Sequence, residues 1–167
     1  MPKNVYQRFA DRIAADPGYP LRAATPPPQI ADFAWLAGDW TWEMQIHATP
    51  TTPARVAKGV FTFVPDGSSI WMHSGSSKPI PYLTYDAFQG RWVLTLVDKL
   101  SHGGISGPGW QDGTAVFEGM MTFMGVEMHL RQTWRRISEG ELRNVNEELL
   151  EGQWIPVDEI IIKRVVA

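Results

Sequence analysis

Gly38-Asp39-Trp40-Thr41-Trp42-Glu43-Met44-Gln45-Ile46 is the stretch on which the reading of the fold turns. Trp40, Trp42, Met44 and Ile46 alternate with Thr41, Glu43, Gln45 and His47. A period of two belongs to a strand with one face buried. With Trp40 turned inward, Trp42, Met44 and Ile46 follow it, and His47 faces solvent.

Beyond this strand, short runs rich in Trp, Val, Thr, Tyr and Phe lie near residues 55–64, 69–75, 80–87, 91–98, 114–123, 125–136, 141–150 and 153–165. Pro65-Asp66-Gly67, Gln89-Gly90, Gln111-Asp112-Gly113, Glu139-Gly140 and Glu151-Gly152 separate them. Glycine supplies positive φ in such turns, and Asp satisfies local amides. The spacing leaves no room for crossover helices, so an antiparallel meander is predicted, and its closure removes exposed edges. The expected architecture is mainly β: a single closed up-and-down barrel of about 8–10 strands with a short N-terminal helix. Lys99 to Gly109, containing His102-Gly103-Gly104 and Gly107-Pro108-Gly109, reads as a mobile loop at the barrel mouth. It lacks the Gly-Lys-Ser/Thr ending and following helix of a phosphate-binding loop.

Toward the amino terminus, Val5, Phe9 and Ile13 form one stripe on a helix of about three turns, stopped by Asp16-Pro17-Gly18. Proline-rich sequence from Tyr19 to Gln29 predicts an extended connector. Residues 1–30 are therefore expected to pack outside the barrel or close one end, with residues 31–167 forming the barrel domain.

The 167 residues, 44% hydrophobic and 20% charged, suit one core. A net charge of −3 without basic runs argues against a nucleic-acid partner. Neither a leader-like apolar segment nor a run of roughly 20 apolar residues is present, so a cytoplasmic protein without a membrane partner is expected. There are no cysteines, which excludes disulfides, thiolate nucleophiles and Cys-based metal sites. His47, His73, His102 and His129 show no metal-ligand spacing, and no serine lies in a Gly-x-Ser-x-Gly sequence. A homodimer is left open.

Trp35-Leu36-Ala37-Gly38-Asp39-Trp40 at the first strand and Ile160-Ile161-Ile162-Lys163-Arg164 on the last resemble the calycin arrangement. There, a tryptophan of a Gly-x-Trp motif plugs the closed end and an arginine of the final strand covers it. Trp40 and Arg164 are structural under this resemblance. Tyr85-Asp86, Arg131-Gln132-Thr133-Trp134, Glu147 and Glu151-Gly152-Gln153-Trp154 resemble a family of bacterial lipocalin-like proteins known only as domains of unknown function. The likeness spans roughly residues 33 to 165 and implies a fold more than an activity. A related branch binds haem through a last-strand histidine. Residues 153–167 contain no histidine, Asp158 or Glu159 lies near the corresponding place, and a carboxylate poorly replaces imidazole on haem iron. No cofactor is expected.

Barrels of this size can hold a ligand in the lumen. Alternation cannot choose the inner face for Trp71 and His73 against Ile70 and Met72, for Tyr82 against Leu83, or for Trp92 against Val93. In the late hairpin, a tight Glu139-Gly140 turn sets Trp134 opposite Val145, whereas one more loop residue pairs Arg131 with Glu147. The resemblance treats Arg131 and Glu147 as matching positions, which favours the second register. His129, Arg131, Thr133 and Glu147 are then expected to enter the lumen together.

Eight tryptophans, four tyrosines, seven phenylalanines and seven methionines suit a hydrophobic or aromatic small molecule, with Trp42, Met44, Trp71 and Trp92 as candidate lining residues. The leading expectation is binding of such a metabolite in the lumen. The alternative is a cofactor-independent lyase, isomerase or hydratase with His73, Tyr82, His129, Arg131 and Glu147 as acid, base and anchoring groups. Haem binding and a filled barrel used for protein interaction rank below both.

Overall fold

The computed structural model describes residues 2–18, 25–48, 50–75 and 78–166, so residues 19–24 of the proline-rich connector lie outside the described residues. Helix α1 (Val5–Ala15) opens on a reciprocal cap: the Asn4 side chain accepts from the Gln7 amide, and the Gln7 side chain accepts from the Asn4 amide. It ends at Asp16, as the Asp-Pro-Gly sequence predicts. Its apolar stripe stays outside the core, with Val5, Tyr6 and Phe9 exposed. Two short 3-10 turns, Pro28–Asp32 and Ala34–Leu36, lead into the sheet. No described helix is long and apolar enough to cross a membrane.

The described strands are β1 (Gly38–Ile46), β2 (Arg55–Asp66), β3 (Ser69–His73), β4 (Ile80–Asp86), β5 (Arg91–Val97), β6 (Ser101–Gly107), β7 (Trp110–Gln111), β8 (Thr114–Phe123), β9 (Val126–Ser138), β10 (Glu141–Leu150) and β11 (Gln153–Arg164). Consecutive strands pair antiparallel except β6 and β7; β6 pairs instead with β8, and β1 pairs with β11. The result is a closed up-and-down barrel with the two-residue β7 appended to β8. The mainly β barrel expected from the turn spacing is the fold observed.

The segment 99–109 differs from expectation. Ser101–Gly107 is strand β6, and its pairings with β5 and β8 complete the ring. Its glycines permit close approach rather than looseness. A Cβ placed on Gly107 would lie 1.8 Å from the Val116 carbonyl oxygen, whereas one on Gly104 would meet nothing nearer than 3.5 Å.

In the β9–β10 hairpin both anticipated registers occur in succession. Glu141 pairs with Ser138 across the tight turn, and a bulge at Ile137 then shifts the ladder so that Glu147 pairs with Arg131. The extra residue sits in the strand rather than in the loop.

The lumen is packed unevenly. Near the 3-10 turns, Phe33 lies against Trp92, Trp110, Phe117 and Trp134 at ring-centroid distances of 4.6 to 6.3 Å. Trp40 Nε1 donates to the Leu36 carbonyl at 2.6 Å, and the Arg164 guanidinium lies 4.4 Å from the Trp40 ring. Arg164 also donates to the Ala37 carbonyl at 2.7 Å and to that of Trp35. This end is sealed.

Gly107→Ala is expected to destabilise the barrel by about 1–3 kcal/mol, because the clash is with backbone that cannot rotate away. Gly104→Ala should change stability by less than about 1 kcal/mol. Urea unfolding of the two variants measures the contrast, and equal effects would mean that β6 does not approach β8 as described.

The open half of the lumen as candidate functional site

Side chains alternate across each strand, so burial of one residue assigns its neighbours. On β9, Leu130, Gln132 and Trp134 are buried, which turns His129, Arg131 and Thr133 outward. Glu147 follows Arg131 to the outer face through their pairing. The expected register is present, but the expectation that His129, Arg131, Thr133 and Glu147 enter the lumen is corrected. A large indole gains more from burial than a charged pair, whose desolvation is costly.

On the outer face these groups form a lattice. Arg131 Nη2 and Nε lie 2.8 and 2.9 Å from Glu147 Oε2, and the guanidinium stacks 4.2 Å from the Trp154 ring. His129 Nε2 is 3.0 Å from Glu118 Oε1 and meets Trp154 edge-on at 5.4 Å. A shallow groove of about 350 Å³ runs beside the lattice, lined in part by Arg131, Thr133, Arg135 and Glu147. Arg131 with Glu147 and His129 with Glu118 are paired across the strands, which suits a brace on the sheet surface.

The other candidates are dispersed. His73 and Trp71 project outward, because Ile70 and Met72 occupy the inner face of β3. Trp92 is fully buried in the sealed end. Trp42 points inward and lies over Gly59, where a Cβ would come within 2.7 Å of the indole. Met44 points inward toward the open end. Tyr82 is a bulged residue of β4, stacked between Phe63 and Trp134, and burial raises its phenol well above the usual range. The phenol therefore stays protonated.

What the structure does gather is a cup, a ring of inward-facing, half-buried apolar side chains at the end opposite the seal. Phe33, Leu36, Trp40, Trp92, Leu94, Phe117 and Leu142, toward the sealed end, are inaccessible to solvent. Inward-facing Met44, Ile46, Met72, Ile80, Leu96, Met128 and Ile160 are half-buried, so solvent reaches them from the mouth. Tyr82, Met121, Leu130, Gln132 and Asn146 form a floor that is 4% to 8% exposed.

One wall of the cup is polar. Asn144, Asn146 and Asp158 face inward from β10 and β11, beside Gln132 on β9. Asn146 Nδ2 donates to Asp158 Oδ1 at 2.5 Å, and Trp134 Nε1 donates to Gln132 Oε1 at 3.3 Å. Oδ1 of Asn144 and Oδ1 of Asn146 are buried with no partner among the described residues. Burial pushes the Asp158 carboxyl up, opposed by the Asn146 hydrogen bond and by nearby His47.

Sequence reasoning singled out Asp158 only as an occupant of the place where a related branch carries a haem-binding histidine. The chain does not fit that group. The inward side chain there is a carboxylate held by an amide, and Glu159 faces outward to pair with Arg143 at 2.7 Å. Asn144 and Asn146 were missed because Leu142-Arg143-Asn144-Val145-Asn146-Glu147 carries polar residues on both faces, leaving no alternation to read.

No family model matches the chain, and no curated protein matches it. Among solved structures it is similar to Rv2717c from M. tuberculosis, with a TM-score of 0.61 at 16% identity over 84% of this chain and 99% of that one. It is also similar to a protein of unknown function from the DUF3598 family of Nostoc punctiforme. There the TM-score is 0.51 at 14% identity, covering 84% of this chain and 50% of that one. At these identities the likeness is one of fold: a barrel shared with proteins whose names state no activity.

The raised Asp158 carboxyl sets the sign of a pH effect. The folded state holds this proton more tightly than the unfolded chain, so the contribution is present at low pH and lost as pH rises through the folded pKa. Asp158→Asn should therefore raise the melting temperature at pH 7, with the gain shrinking toward zero at about pH 4 and below. Thermal unfolding of both proteins across this range checks it; a loss of stability at pH 7 would contradict it.

Proposed function

We propose that this chain is a small-molecule-binding barrel, lipocalin-like in arrangement, that takes a largely apolar ligand into the open half of its lumen. The observation carrying this reading is the gradient of accessibility along the barrel, from fully buried aromatics at one end to solvent-reached apolar residues at the other. A barrel serving only as a filled scaffold gains nothing from leaving inward-facing Met, Ile and Leu side chains wet. Met44, Met72, Met121 and Met128 line this half, and unbranched thioethers adapt to ligands of varied outline. The seal made by Trp40 and Arg164 supplies the lipocalin-like element, because it leaves one way in.

Acid–base catalysis on the bound molecule is a second reading, favoured by the raised carboxyl of Asp158 facing the cup. Incubating each binder with the protein and following it by mass spectrometry tests this. Turnover that disappears in Asp158→Asn supports catalysis, and ligands recovered unchanged count against it for those compounds.

Binding itself is tested with the uncharged fluorophore N-phenylnaphthylamine. Saturable enhancement with a Kd on the order of 10 μM is expected. Met44→Trp, which fills the cup, should weaken it at least about tenfold, a change of about 1.4 kcal/mol. Glu147→Ala and His129→Ala, on the outer face, should leave it within about twofold. Absence of saturable binding, or loss in the outer-face variants alone, would remove the lumen as the site.

A further inference from the structure

The polar wall of the cup restricts what the ligand can carry at its inner end. Asn146 uses its amide nitrogen on Asp158, so its Oδ1 remains an acceptor, buried at 6% residue exposure and without a partner among the described residues. Asn144, two positions along β10 on the same face and 2% exposed, likewise presents an Oδ1 without a partner. Asp158, opposite Asn146 in the ladder, adds a carboxylate. The oxygen of Gln132 is already used by Trp134. This wall therefore offers two unpartnered acceptors and a carboxyl beside the amide nitrogens of Asn144 and Gln132, and buried acceptors left unfilled are unfavourable.

We infer that the polar end of the ligand is a cationic nitrogen. It is an alkylammonium-type group whose N–H bonds fill the Asn144 and Asn146 oxygens and whose charge pairs with Asp158. An ammonium suits such a wall because it carries three donors and no acceptor, and its charge strengthens each bond. A carboxylate or phosphate head would instead be set against the Asp158 carboxylate and would leave the two amide oxygens unfilled. Arg55 and Glu148 also lie on the inner face, at the rim, one of each sign, so the mouth itself does not select for charge. His47, exposed just past the end of β1, lies near Asp158.

This inference rests on ligand binding in the cup, and the test separates the two. Octylamine, octanol and octanoate share one chain and differ in the head. Each is titrated at pH 7 by calorimetry and by displacement of N-phenylnaphthylamine. Octylamine is expected to bind at least about tenfold more tightly than either analogue. Asp158→Asn should bring octylamine down to the level of octanol while leaving octanol within about twofold, and Asn144→Leu should weaken octylamine in the same direction. Because Asp158→Asn is expected to be at least as stable as the parent at this pH, unfolding cannot imitate the loss. Octanol or octanoate binding as tightly as octylamine, octylamine indifferent to Asp158→Asn, or no binding of octylamine overturns the cationic head while leaving the apolar cup standing. Failure of the fluorophore as well would overturn the cup.

Discussion

Trp40 sits where the first strand, the last strand and the entering 3-10 turns meet, and the arrangement of the barrel depends on its burial. Its indole donates to the Leu36 carbonyl, and Arg164 covers its face while donating to Ala37 and Trp35. One guanidinium thereby joins the two ends of the barrel sheet and satisfies carbonyls that the short turns would leave unpaired. With that end sealed by Phe33 and the surrounding indoles, the inward-facing side chains that solvent reaches lie toward the opposite rim. The parity of β1 follows as well, which places Trp42, Met44 and Ile46 inside.

Polar groups are distributed by the same economy of desolvation. Full charges that can pair across strands lie outside, where Arg131 with Glu147 and Arg143 with Glu159 keep contact with water. Exposed pairs of this kind each contribute about 0–1 kcal/mol. Deeper inside lie amides, which cost less to bury, and the Asp158 carboxyl, whose pKa burial pushes up. A cup with two unfilled amide oxygens is a less favourable interior than an all-apolar one. Retaining it is understandable if a bound molecule completes the hydrogen bonding.

Legibility in the sequence was uneven for physical reasons. Turn chemistry at Asp66-Gly67, Asp112-Gly113 and Glu151-Gly152 marked hairpins, because positive φ restricts which residues can stand there. The same reasoning took Gly103, Gly104 and Gly107 as loop, whereas at Gly107 glycine is required because two backbones approach closely. Pairing of Arg131 with Glu147 was legible, but their face was not. Met128, Leu130 and Trp134 share one parity and mark the inner face, but Gln132 interrupts them and Thr133 beside Arg131 blurs the contrast between the two faces.

The sequence by itself determined the closed antiparallel meander, most of its strands though not β6, and the meeting of Gly38-Asp39-Trp40 with Arg164 at one end. Period-two patterning, turn residues and short connections are local properties, each legible within a few residues. The tertiary structure alone decided which face of β9 and β10 lines the lumen, and that Asn144, Asn146 and Asp158 rather than His129 and Glu147 share it. A bulge at Ile137 and a second opposite Asn146 and Glu147 shift the ladders by single residues. Such shifts cost little locally but set which residues stand opposite one another on either face, and only closure of the whole barrel around Trp40 and Trp134 selects among them.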